Sequence, residues 1–239
     1  MIAATWWGGL AAASLLIGYL LALRAPSNRT IGLIMGLGAG ALISAIAYEL
    51  IPESSAPGWV GAVAFALGAL TFFVGDWVVD SRGGARRKDI TAEQSGGSGT
   101  AIFIGTLLDN VPESLVLGMG LALGGAINVA FLVSVFISNL PEGMAGSLNL
   151  EGVGYSQRRI FWMWLMLVLV SALGAGLGYG VVTRLPGVDG RLAQAFAAGA
   201  MLTMLADAMM PEAFEHGGKL VGLVTVLGFL VAAVLSSVQ

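Results

Sequence analysis

Two segments of this chain place the same chemistry-bearing residues at the same spacing. The first is Asp109-Asn110-Val111-Pro112-Glu113 and the second is Ser138-Asn139-Leu140-Pro141-Glu142. In each, Asn and Glu stand three residues apart, and Asp109 or Ser138 stands four before the Glu. On a helix these spacings share one face. The proline has no N–H to donate and crowds the carbonyl four residues earlier, on Leu108 and Ile137. Two such helices face to face are expected to gather three carboxylates, two amides and loosened carbonyls. That is an oxygen-rich cation site. Packing alone, with Pro bending a helix and Asn bridging it to a neighbour, is the plainer alternative.

The setting makes the plainer alternative less attractive. Both motifs lie inside apolar runs, 100–122 and 126–148, each long enough to cross a bilayer. A carboxylate at mid-depth costs about 2.5–3.5 kcal/mol on insertion scales, and such acids are functional by default. Only 10% of the 239 residues are charged and 57% are hydrophobic, against about 25% charged in soluble domains. An integral membrane protein follows, organised as a single transmembrane domain over 1–239. With no cysteine and one histidine, His216, thiolate sites and multi-histidine zinc enzymes are excluded. A hydrolase with a metal-activated water, which needs such ligands and a general base, is disfavoured; the chain is not expected to be an enzyme. No basic segment precedes the first apolar run, so a cleaved signal peptide is not expected.

Hydropathy predicts an all-α protein of eight spans: 3–23, 31–51, 58–80, 100–122, 126–148, 159–182, 190–212 and 218–237. Loops after the odd-numbered spans hold Arg24, Arg29, Arg82, Arg86, Arg87, Lys88, Arg158, Arg159 and Lys219, whereas those after the even-numbered ones hold Arg184 and Arg191. This asymmetry places both termini outside and the mobile loop 81–99 in the cytoplasm. Trp6, Trp7, Trp59 and Trp77 read as interfacial anchors, and Gly174, Gly176, Gly178 and Gly180 as points of close helix approach.

An internal repeat is also legible. Ala39-Gly40-Ala41 stands before Pro52-Glu53 at the interval by which Ala198-Gly199-Ala200 stands before Pro211-Glu212. The second and seventh spans run in opposite senses, so the expectation is a 3+2+3 arrangement with spans 1–3 and 6–8 as an inverted repeat. Glu49, Glu53, Asp207, Glu212 and His216 form a candidate cation pathway along those spans. Pro-Glu at a helix end is as readily a solvated terminus, and a loop histidine is usually unremarkable. Asp76 and Asp80 read as interfacial partners of Arg82 or Arg86.

The paired motifs resemble those of ZIP-type divalent metal transporters, which typically read H-N-x-P-E-G and H-E-x-P-E-G. The second and seventh spans are similar to that family's A-G-x-(M/L) to L-P-E segments. The resemblance covers nearly the whole chain and implies transport of zinc, manganese or iron, with the metal as substrate and no further cofactor. It implies inward movement across a cell membrane, by spans 1, 4, 5 and 6 sliding against 2, 3, 7 and 8, and a homodimer. Beyond the metal ion and the lipid bilayer, no nucleic-acid partner is expected. Asn110, Glu113 and Glu142 match the family pattern. Asp109 and Ser138 replace its histidines, Asn139 replaces a frequent acid, and the sixth span has no acid. One metal held by oxygen ligands at Asp109, Asn110, Glu113, Ser138, Asn139 and Glu142 is therefore expected rather than a binuclear site. A divergent member that binds metal without transporting it, as a sensor or partner, is the alternative.

Overall fold

The computed structural model describes residues 1–51, 58–84, 98–185 and 190–238. Glu53 and positions 85–97 of the 81–99 loop lie outside the described residues. Eight helices are long and apolar enough to cross a membrane: α1 Ile2–Ala22, α2 Asn28–Leu50, α3 Trp59–Gly84, α4 Gly99–Gly124, α5 Val129–Gly152, α6 Gln157–Arg184, α7 Gly190–Gly217 and α8 Leu220–Ser237. They match the eight spans read from hydropathy, with ends shifted by a few residues.

Local chemistry sets the ends. The Ser27, Ser98 and Asn128 side chains accept from the backbone N–H groups of Thr30, Ala101 and Phe131, satisfying donors left over at the starts of α2, α4 and α5. Gly125 adopts φ +71°, a left-handed turn that closes α4 through its N–H on the Leu121 carbonyl. Only three residues then separate α4 from the Asn128 cap, so the two motif helices form an antiparallel hairpin.

Burial divides the helices into inner and outer ones. In α5, 72% of the spanning window is buried and in α2 67%, against 17% in α8 and 22% in α3. The outer faces expose large apolar side chains, such as Leu67, Leu70 and Phe73 on α3 and Leu223, Leu227 and Leu230 on α8. A continuous apolar exterior of this kind fits lipid rather than water. Trp6, Trp59 and Trp77 are also exposed. Trp164 is not: it is wholly buried, gives its indole N–H to the Ser147 hydroxyl at 2.8 Å, and fills space that Gly146 leaves open.

Helix contacts fall into two groups. α1 packs along α5 and α6, and α4 along α6; α2 packs along α8 and the end of α7, and α3 along α7. The broadest seam between the groups is α2 against α5. Glycines make these approaches close. On α2 and α8, a Cβ at Gly40 would strike the Thr225 carbonyl and one at Gly228 the Leu37 carbonyl. On α7 and α3, Gly199 and Gly68 stand in the same relation to Phe65 and Phe196. Of the four glycines singled out in α6, Gly174, Gly176 and Gly178 back tightly onto Ser114, Thr5 and Leu115, whereas Gly180 has only the Met1 sulfur at 3.7 Å.

α2 and α7 each contain a π turn, Ile46–Leu50 and Leu205–Met209 respectively. The N–H of Ile51 reaches the Ile46 carbonyl and that of Met210 the Leu205 carbonyl, five residues back. A proline follows each directly, Pro52 and Pro211. Its missing N–H leaves a carbonyl without the usual partner and lets the ladder slip by a residue.

Candidate metal site

α4 and α5 continue through Pro112 and Pro141, and all six motif residues are buried: Asp109, Asn110, Glu113, Ser138, Asn139 and Glu142. The link between the helices is an amide pair. Asn139 Nδ2 donates to Asn110 Oδ1 at 3.3 Å, and Asn110 Nδ2 donates to the Thr106 carbonyl, one turn back, at 2.9 Å. Thr106 thereby holds the Asn110 amide so that its oxygen points towards α5.

Beside this pair lies a cavity of about 10 Å³, room for about one water-sized particle. Asn110, Glu113 and Ser114 of α4, Asn139 of α5 and Ser171 of α6 supply its polar wall. Gly8, Ala11 and Ala12 of α1 supply the opposite, small-residue wall. The Asn139 Oδ1 atom is buried and has no hydrogen-bond partner among the described residues. One carboxylate, two amide oxygens and two hydroxyls make a hard donor set, of the type that suits manganese, magnesium and calcium and tolerates zinc.

Asp109, Ser138 and Glu142 are buried but do not border this cavity. Among the described residues no three His, Asp or Glu side chains come together as a metal-holding group. The gathering of three carboxylates expected from the motifs is therefore absent from this arrangement. The reason lies in what covers α5. Gly18 of α1 backs onto the Leu140 carbonyl and Gly143 onto Leu15, so α1 occupies the face beside Glu142. Gly38 of α2 backs onto Ser138, where an added Cβ would lie 2.7 Å from its Cα and 3.2 Å from the Ile137 carbonyl. The carbonyl that Pro141 frees thus faces a neighbouring helix. Ser138 itself donates to the Val135 carbonyl of its own helix at 2.9 Å.

The candidate pathway residues among the described ones lie on different elements. Glu49, in the α2 π turn, accepts from Asn128 Nδ2. Asp207, in the α7 π turn, is exposed on the outer surface of the chain. Glu212 and His216 pair one turn apart at 3.3 Å. Asp76 is buried within α3. Sequence reading missed Ser114, Ser171, Asn128 and Gln194. For Asn128 a signal existed, since Asn just before an apolar run marks a helix start. Ser and Gln isolated in apolar helices gave none.

An all-α bundle of this length and exterior, with buried carboxylates and amides at mid-span, is an integral membrane protein. No family model matches the chain. It is 36% identical to Zinc transporter ZIP11 of Bos taurus over 154 residues, 59% of this chain and 45% of that protein. To Zinc transporter ZIP11 of Homo sapiens it is 36% identical over 151 residues, 58% and 44% respectively. The chain thus matches slightly less than half the length of these curated relatives. Together with the paired motifs, these similarities support membership of the ZIP-type family.

Proposed function

We propose that this protein carries divalent transition-metal ions across a membrane. The observation that carries the reading is the Glu113 carboxylate beside the Asn110–Asn139 amide pair, buried at the middle of two spanning helices and bordering a cavity of ion size. Structural packing would call for the amides, whereas an acid buried in a spanning helix marks a functional site by default. The relatives' names point to zinc, and the oxygen-only donor set adds manganese and ferrous iron. As in the sequence reading, all six motif residues contribute to the cation's coordination, with Asp109, Ser138 and Glu142 joining in another conformation.

Alternating access is the second part of the proposal. The two contact groups, α1, α4, α5 and α6 against α2, α3, α7 and α8, move as bodies along the α2–α5 seam. The matched glycine crossings and paired π turns support an inverted repeat, in which the same construction is used once from each side. The distribution of Lys and Arg supports both termini lying outside a cell membrane, and inward transport is what the resemblance to the family implies. The chain works as a homodimer in this reading.

The test is metal uptake into proteoliposomes, with zinc and manganese measured separately. Parent protein is expected to accumulate both, and Glu113→Ala neither. A second reading has one observation in its favour: no three acids or histidines assemble among the described residues. In that reading the protein binds metal as a sensor or partner and does not move it. Binding by the purified protein without accumulation in vesicles would establish it.

A further inference from the structure

We propose that Glu49 and Gln194, with the Asn128 amide as a competing donor, form a second station for a divalent cation, separate from the mid-span cavity and divided from it by Leu117. This rests on the transport reading and gives the cation a place to wait at the end of the bundle where α4 turns into α5.

Glu49 lies in the α2 π turn, where the slipped ladder rotates its side chain out of ordinary helical register. Its Oε2 accepts from Asn128 Nδ2, while Oε1 is buried and has no hydrogen-bond partner among the described residues. Glu49 also forms no ion pair among them. A buried carboxylate oxygen left in this way carries its full desolvation cost until a cation or water meets it.

A cavity of about 10 Å³ lies against it, with Glu49, Asn128 and the fully buried Gln194 as its polar wall. The remaining wall is apolar, which concentrates the field of the single carboxylate. Asn128 Oδ1 is committed to capping α5, so Asn128 offers the site a donor and not a ligand. A cation arriving at Glu49 must compete with the Asn128 amide, leaving the carboxylate and the Gln194 carbonyl as its oxygen ligands. Such a site is weak and exchangeable, as a waiting station must be. Leu117 is the residue that borders both this cavity and the one beside Glu113. Passage from one to the other requires that side chain to move.

The test uses Mn2+ as probe, with equilibrium binding to the purified protein and uptake into proteoliposomes measured on the same preparations. Glu49→Gln keeps an acceptor for Asn128 but removes the charge. It is expected to lose one weak Mn2+ site and to raise KM about tenfold, with the maximal rate within about twofold of the parent. Glu49→Asp should restore part of the loss. Asn128→Ser keeps a helix cap and removes the competing amide, so KM should fall or stay unchanged. Leu117→Ala should raise the maximal rate. Unchanged Mn2+ stoichiometry and KM in Glu49→Gln would overturn the station. So would a fall in maximal rate at unchanged KM, which marks a contact between sliding helices instead. If the parent binds Mn2+ but takes up none, while Glu49→Gln binds one ion fewer, the transport reading fails and the station stands.

Discussion

Segments 109–113 and 138–142 share one spacing of amide, proline and glutamate, yet Asn110 and Glu113 of the first both border the mid-span cavity, whereas of the second segment Asn139 alone does. The helices differ in what surrounds them. α4 packs mainly along α6, which leaves its motif face open towards α1 and α5. α5 is the most buried helix, held on one side by Gly18 and Leu15 of α1 and on the other by Gly38 of α2. Equal patterns in sequence therefore become an unequal pair. One half presents its acid to the cavity, and the other keeps its acid under neighbouring helices.

The sharpest way to break this comparison is to truncate the two acids separately. Glu113→Ala should weaken metal binding by roughly a hundredfold, the equivalent of about 3 kcal/mol for a buried charged contact, and so abolish uptake at low metal. Glu142→Ala should instead lower the maximal rate, because its carboxylate meets the ion only in another conformation. Uptake kinetics paired with binding titrations separate the two. Equal rises in dissociation constant for both variants would remove the asymmetry, and unchanged uptake in both would remove the site.

A middle-sized effect is expected at the seam that covers α5. A Cβ at Gly38 would press on the Ser138 backbone, so Gly38→Ala should cost about 1–3 kcal/mol, seen as a lower melting temperature in detergent. Gly120→Ala is the comparison on α4. There an added methyl meets only Gln194 Nε2, at 3.9 Å, and stability should stay within about 0.5 kcal/mol. A neutral Gly38→Ala would show that α2 and α5 are not held so closely.

The smallest effect concerns selectivity. Imidazole favours zinc over manganese relative to carboxylate or hydroxyl, so Asp109→His with Ser138→His should shift preference towards zinc. Neither residue borders the cavity, and Ser138 lies against Gly38, so the shift in zinc-to-manganese ratio should stay below about tenfold. Competition uptake measures it. A larger change would place both positions in the ion's coordination shell, and no change would end the ligand-hardness argument.

By itself, the sequence determined the eight spans, since only helices of about twenty apolar residues satisfy every backbone group within a bilayer. It also fixed the shared face of each motif, because helical periodicity places residues three and four apart together. The matched intervals in the second and seventh spans coincide with the π turns in α2 and α7, although the interval alone gave no sign of the slip. Tertiary structure alone decided which buried acids meet the cavity. Helical phase relates residues within one helix, but the rotation of α5 against α4 depends on glycines in α1 and α2, more than ninety residues away in the chain. The same holds for Glu49, which finds Asn128 only because α2 crosses the start of α5. It holds too for Trp164, buried because Gly146 makes room for its ring.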